Sequence, residues 1–295
     1  MRSVKLTVLT EPVPDPGKKY GGHFAVTRSL VEGLNKLGAS FNYNPGSLSE
    51  MGKTVMVLSG TKTLEQAIQW KSNGYIDRLL AGPNIMTVRA TGFRELISAP
   101  EIDICIVPSD WVRAAYEETA PALAGRIRCW YAGVDECYWK PPGKSLKSKI
   151  VPVYWKTEPE EFNLRAETIL SQHGLNPVRI IYGSYSAEQF KEVLSKSIFA
   201  VFLSKSESQG IALAESWSMD VPTLVWWPRE LVIEGRKYDP FSSCPYLSHS
   251  TGLRWTTARE LDWLLTSLQP NVFRPRKWVL ENIDRKSTRL NSSHR

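Results

Sequence analysis

The chain has 295 residues, 42% hydrophobic and 23% charged, which is the composition of a globular fold with room for one large domain or two ordinary ones. Its formal charge of +7 is inflated by Arg285, Lys286, Arg289 and Arg295, all in the last eleven residues; the remainder is weakly basic without a block of like charge, so a nucleic-acid partner is not expected. The four cysteines (Cys105, Cys129, Cys137, Cys244) form no Cys-x-x-Cys pair, which excludes the common zinc and redox motifs, and no run approaches a transmembrane helix.

Taken in chain order, residues 3–10 are rich in β-branched side chains and read as a first strand. A Pro- and Gly-rich loop follows to Gly22. Residues 24–37 then carry Val26, Leu30, Leu34 and Leu37 at helical spacing and stop at Gly38. A short strand is expected near Phe41 and another over 54–58. A helix is expected over 63–80 with a weak point at Gly74. Strands follow over 84–88 and 102–107, then a helix over 110–118 capped by Ser109 or Asp110.

Residues 140–149 have linker composition: two prolines, a glycine, lysines and serines. Beyond them the alternation restarts, with strands over 150–154, 178–182, 199–203 and 223–226. Helices are expected over 166–173, 187–194, 210–219 and 258–268. Short apolar strands alternating with helices imply mainly parallel sheets covered on both faces. The expectation is α/β, with two Rossmann-like doubly wound domains facing a cleft. The domains are placed at 1–139 and 140–284. Residues 285–295 are polar and aperiodic, resemble a translated adaptor scar, and are read as a non-native tail. The natural C-terminus is expected to be cut short near Asp284.

The segment Ser204-Lys-Ser-Glu-Ser-Gln-Gly-Ile-Ala-Leu-Ala-Glu215 follows an apolar strand and opens a short helix. A helix start offers unpaired N–H groups and a partial positive charge, which suits a diphosphate, and Gly210 at the turn lets the backbone come close. Glu207 would stand beside those phosphates, where sugar hydroxyls lie. Glu215 sits among Ile211, Ala212, Leu213, Ala214 and Trp217, so it needs a polar partner, and a ribose diol is one. The bland alternative is a capping box, Ser206-x-x-Gln209, with acids placed for the helix dipole.

This segment resembles glycosyltransferase family 4 (glycosyl transferases group 1), a family with the GT-B fold. Ser204, Glu207, Gly210, Glu215 and Pro222 fall on its pattern Pro-Ser-x-x-Glu-x-x-Gly, then a second Glu and Gly-x-Pro. Gly133-Val-Asp135 with Trp139 and Pro141, and Pro108-Ser109 before a helix with Tyr116, are similar to two further motifs of the family. The resemblance implies a retaining, metal-independent glycosyltransferase of hexosyltransferase type, acting in glycan biosynthesis. A nucleoside-diphosphate sugar would be co-substrate, no cofactor would be needed, and the acceptor would be an unidentified glycan, lipid-linked or protein group. It also implies that Glu207 contacts the donor sugar, that Ser208, Gln209, Gly210 and Ile211 line the phosphates, and that Glu215 holds the ribose.

The family commonly has Gly-Arg, then Lys-Gly, after the first strand of the second domain. Here Trp155-Lys156-Thr157 stands there, and Glu161 occupies the place of the second cation. Lys156 is either the replacement cation or a surface lysine. Asp220 stands where the family has glycine, a position Asp tolerates in a left-handed conformation. Tyr185 either stacks on the base or packs in the core. On the first-domain side the candidates are Gly21 and Gly22, His23 at a helix start, and Arg89 at a strand's carboxyl end. No metal ligands are identified. A degenerate GT-B domain that binds nucleotide sugar or glycan without turnover, and a nucleotide-sugar 2-epimerase, are the alternatives. The expected location is the cytoplasm, with peripheral association at a membrane surface left open.

Overall fold

The structure, a computed structural model, describes residues 6–12, 21–85, 93–143 and 148–283. It is α/β and divides into two compact units; of the described residues, the first takes in 6–12 and 26–132 and the second 21–25 and 133–283.

The first unit is built from β1 (Leu6–Leu9), α1 (Gly22–Lys36) from Val26 onward, β2 (Phe41–Tyr43), β3 (Thr54–Ser59), α2 (Thr61–Ser72), β4 (Arg78–Asn84), β5 (Ile104–Val107), α3 (Asp110–Thr119) and β6 (Ile127–Cys129). Its six strands form a parallel sheet in the order β2-β1-β3-β4-β5-β6. The central strands carry Val55, Val57, Leu79, Ala81 and Cys105 with no exposed surface, as strands covered on both faces must. Cys105 behaves as a small hydrophobe, and burial pushes its thiol up to about 12.

Two sequence expectations are corrected here. The helix expected over 63–80 stops at Ser72, and β4 begins inside that stretch. Gly74 takes φ +73°, its N–H bonds to Lys71 O, and the Tyr75 N–H bonds to Trp70 O. This paired closure satisfies the last carbonyls of α2 and turns the chain out of the helix, a conformation open to glycine at no steric cost. The strand expected over 84–88 is accordingly β4, ending at Asn84; residues 86–88 lie outside the described residues. The three-residue β6 has too short an alternation to be marked by sequence.

The second unit is built from β7 (Ile150–Trp155), α4 (Glu160–Gln172), β8 (Asn176–Ile181), α5 (Ala187–Ser195), β9 (Ala200–Leu203), α6 (Ile211–Ser218), β10 (Thr223–Trp226), β11 (Leu231–Ile233), β12 (Arg236–Tyr238), β13 (Gly252–Trp255), α7 (Ala258–Ser267) and α8 (Pro275–Asn282). Five strands form a parallel sheet in the order β13-β10-β9-β7-β8, and β11 pairs with β12 as an antiparallel hairpin. Side chains alternate along β7. Val151, Val153 and Trp155 enter one core with Ala166 and Leu170 of α4 and Leu261 of α7. Tyr154 points the other way, stacked on Phe202 at 4.9 Å and against Phe190 of α5. Pro177, which has no N–H to give to a ladder, lies in the edge strand β8. The helix α4 starts at Glu160, earlier than expected, because Glu160 and Glu161 sit favourably in its first turn.

The segment 133–139 is fastened inside this unit by Arg276 of α8. The guanidinium donates to Trp139 O at 2.9 Å, to Ser218 O at 2.5 Å and to Glu136 O at 3.1 Å. The Ser218 hydroxyl donates to Trp139 O at 2.6 Å, and the Val134 N–H donates to Ile283 O at 3.1 Å. One cation thus satisfies three carbonyls from two stretches of chain, the segment 133–139 and the C-terminal end of α6. Replacing Arg276 by Met keeps the aliphatic stem and removes the donors; the expected cost is about 2–3 kcal/mol in urea unfolding. Lys277→Met, which touches only the exposed Glu281 at 3.8 Å, should change stability by less than about 0.5 kcal/mol.

Candidate functional site

The candidate site forms at the carboxyl ends of β7 and β9 in the second unit. β9 is buried over its whole length and delivers the chain to Ser204, whose hydroxyl donates to Ser206 O at 2.9 Å and tightens the loop. The loop ends at Gly210, with φ 74° and ψ 49°; a Cβ there would stand 2.9 Å from Leu213 Cδ1. Gly210 is the N-cap of α6 and has no side chain with which to cap it. The capping box Ser206-x-x-Gln209 is therefore not formed. Gln209 is 8% exposed, and its Nε2 is buried without a hydrogen-bond partner among the described residues.

The eight-residue α6 buries every residue from Ala212 to Ser218. Its polar side chains are accommodated one by one. The Ser216 hydroxyl donates to Ala212 O at 2.8 Å, and Trp217 Nε1 donates to Thr223 Oγ1 at 3.1 Å. The helix ends by the same paired closure as α2, with the Asp220 N–H on Trp217 O and the Val221 N–H on Ser216 O. Asp220 takes φ 58° at the glycine position of the family pattern, and its Oδ1 accepts from the Arg276 N–H at 3.3 Å.

Glu207 is 7% exposed, and its Oε2 accepts from Lys156 Nζ at 2.7 Å. Lys156 is the first residue beyond β7, and the structure brings it directly to Glu207 rather than leaving it on the surface. Burial pulls the Lys156 pKa down, but the Glu207 carboxylate outweighs it and the net shift is upward from 10.5. On the lysine's side, the pair therefore contributes its full stabilisation below pH 10.5 and loses it only as pH rises through the raised folded value. Glu161, at the other cation position of the family pattern, is exposed on the first turn of α4.

Glu215 is 1% exposed on α6. The phenols of Tyr154 and Tyr185, 3.5 Å apart, feel both acids. Burial pushes both hydroxyls well above the usual phenol range, and the Glu207 and Glu215 charges push in the same direction. Glu207, Glu215, Lys156, Gln209 and Gly210 thus converge at one end of the sheet. Tyr185, 9% exposed, packs against Tyr154 and Phe190, whereas its neighbour Tyr182 is 46% exposed. Ser208 lies in the loop and Ile211 opens α6.

One group of residues at the site carries no sequence signal. The Glu207 N–H donates to Ser242 O at 2.9 Å, and the Ser243 hydroxyl donates to Lys205 O at 2.9 Å. Cys244 is buried beside them, and burial together with the Glu207 charge pushes its thiol well up. This segment seats the acidic loop from a distant part of the chain, so only the folded structure reveals it. Tyr182, which with Tyr185 bounds a stretch singled out at the end of a strand, has its ring 4.7 Å from Lys156 Nζ, a contact that the sequence does not signal. Gly21 precedes α1, and Gly22 and His23 form its first turn. Arg89 lies outside the described residues. Among the described residues no three His, Cys, Asp or Glu side chains cluster as a metal site, and no helix is long and apolar enough to cross a membrane.

The ion pair makes a stability prediction. Lys156→Met leaves the Glu207 carboxylate buried without its ammonium and should cost about 2–3 kcal/mol in urea unfolding, toward the low end for buried pairs because Lys156 retains some solvent. Lys156→Met combined with Glu207→Gln should recover at least half of that loss. Additive losses would show that the two groups are not coupled.

No family model matches the chain, and no curated protein matches it in sequence. Solved structures do resemble it. AviGT4, a glycosyltransferase involved in avilamycin A biosynthesis, superposes with a TM-score of 0.61 at 13% identity over 97% of this chain and 94% of that one. HepE of Anabaena, in complex with UDP and glucose, gives 0.61 at 10% identity over 96% of each chain. Sucrose-phosphate synthase of Thermosynechococcus elongatus gives 0.56 at 12% identity, again over 96% of each. At these identities the likeness is one of fold, and the fold is that of the GT-B glycosyltransferases, with two Rossmann-like parallel sheets.

Proposed function

We propose that the chain is a glycosyltransferase of family 4 type that moves a hexose from a nucleoside-diphosphate sugar to a glycan, lipid-linked or protein acceptor, without a metal or other cofactor. The observation that carries this reading is the N-terminus of α6. Its N-cap residue, Gly210, has no side chain with which to cap it, and Gln209 Nε2, in the residue before, is buried without a hydrogen-bond partner among the described residues. A buried donor of that kind is costly unless an acceptor oxygen arrives. A diphosphate supplies such oxygens and carries the charge that a helix start favours. The named solved structures support the reading, since one of them holds UDP and glucose.

In this reading Gly210, Ile211 and Gln209 donate to phosphate oxygens, with Ser208 in the same loop. Lys156 neutralises the charge that develops on the diphosphate as it leaves. Glu207 accepts from sugar hydroxyls and Glu215 from the ribose diol. Tyr185 supports the site from the core, behind Glu215. The bond from the sugar's anomeric carbon to phosphate oxygen breaks with its electron pair remaining on the diphosphate. The acceptor hydroxyl bonds to the same face of that carbon, and its proton passes to the departing phosphate oxygen. The anomeric configuration is retained. Gly21, Gly22, His23 and Arg89 are assigned to the acceptor side on sequence grounds.

Glu207→Ala is expected to lower turnover at least a hundredfold, and by more than Lys156→Met, which breaks the same ion pair and so carries a comparable loss of stability. Glu215→Ala is expected to act mainly on donor affinity, raising the donor KM about tenfold. Near-wild-type turnover in both variants would overturn the assignment. A thermal-shift panel of UDP, GDP, ADP and CMP should show stabilisation by at least one nucleotide. Stabilisation without sugar transfer would instead identify a binding domain that has lost turnover, and stabilisation by none would remove the nucleotide site itself.

A further inference from the structure

Lys156 is held from two sides. Glu207 Oε2 takes one of its N–H bonds at 2.7 Å, and the ring of Tyr182 lies 4.7 Å from Nζ. The second contact is built into the sheet. Tyr182 directly follows β8, and its N–H donates at 2.9 Å to the carbonyl of Trp155, the residue before Lys156. Its ring meets the buried Tyr154 edge-on at 6.5 Å, and Tyr154 is itself stacked on Phe202. The parallel register of β7 and β8, Trp155 against Ile181, thus brings an aromatic face to the lysine, and the Tyr154–Phe202 stack braces it.

We infer that Tyr182 is a positioning residue for Lys156: its ring holds the ammonium between Glu207 and the start of α6, so that the lysine faces a diphosphate rather than folding fully onto the carboxylate. This inference rests on the proposed nucleotide-sugar site. A carboxylate alone would draw a flexible lysine into the tightest pair it can form. A ring face attracts the cation through its quadrupole without engaging its N–H groups in line, so the donors not used by Glu207 stay directed at an incoming anion. The hydroxyl of Tyr182 has no part in this, and half of the residue is open to solvent, so the ring can be changed without opening the core.

The test compares Tyr182→Leu with Tyr182→Phe. The first removes the ring face and the second keeps it. Inorganic pyrophosphate, which lacks base and ribose, is titrated calorimetrically into wild type and both variants. Tyr182→Leu should weaken pyrophosphate binding about two- to fivefold, the range of a half-exposed cation–ring contact, and Tyr182→Phe should bind as wild type does. In parallel, lysines are reductively methylated with 13C and the Lys156 resonance, assigned with Lys156→Arg, is observed by NMR. Its line position at pH 7 should move in Tyr182→Leu and not in Tyr182→Phe. Wild-type binding and line position in Tyr182→Leu would overturn the inference. So would a variant that keeps pyrophosphate affinity but loses UDP, GDP or ADP more than tenfold, since the ring would then act on a base. If wild type binds neither pyrophosphate nor any nucleotide, the proposed function fails, and the NMR line position still decides the clamp on its own.

Discussion

The pair between Lys156 and Glu207 joins two strands' ends that would otherwise be unrelated stretches of sequence. Lys156 leaves β7 and Glu207 lies in the loop after β9, and the two meet because β7 and β9 are neighbours in the parallel sheet. Glu207 is almost fully covered, so its charge demands a cation. That demand fixes the loop, and the loop in turn sets where α6 begins. The serine segment at 242–243 closes the arrangement from outside by binding the same loop's backbone. The acidic loop is thus held by Lys156, by Ser242 and by Ser243 at once.

The short helix α6 is the second consequence. A helix of eight residues gains little from its own hydrogen bonds and is held by burial. Its start has a glycine as N-cap, its end is closed through Asp220 and Val221, and Arg276 binds the last turn to the segment 133–139. The end that needs no ligand is secured by protein. The end that could use one is left with donors, including Gln209 Nε2. The proposed diphosphate site rests on that asymmetry.

Much of this was legible in the sequence, and for identifiable reasons. The acids at 207 and 215, the glycine between them and the apolar residues around Glu215 form a local pattern, and local patterns survive in a linear reading. Apolar strands such as Ile104–Val107 and Thr223–Trp226 were visible because central parallel strands are apolar on both faces. The helix expected to run to residue 80 failed because apolar spacing continued past Gly74 while the backbone did not. The short strands β6, β11, β12 and β13 mix polar with apolar residues (Ile127-Arg-Cys129, Arg236-Lys-Tyr238, Gly252-Leu-Arg-Trp255) or are only three residues long, and so lack the continuous apolar run that marks the central strands. The roles of Tyr182, Ser242, Ser243 and Arg276 were illegible in principle, because each acts on a partner far away in the chain. Sequence left Lys156 as either surface or site; the 2.7 Å contact with Glu207 decides where it sits.

The central claim is that the start of α6, with Lys156 and Gln209 beside it, holds a nucleoside diphosphate. The most direct measurement is a crystal structure of the wild-type protein with the nucleoside diphosphate that stabilises it most. The account predicts phosphate oxygens at about 3 Å from the N–H groups of Gly210 or Ile211, with Gln209 Nε2 and Lys156 Nζ turned onto them. A diphosphate bound elsewhere, with the α6 start closed by a protein side chain, would contradict it.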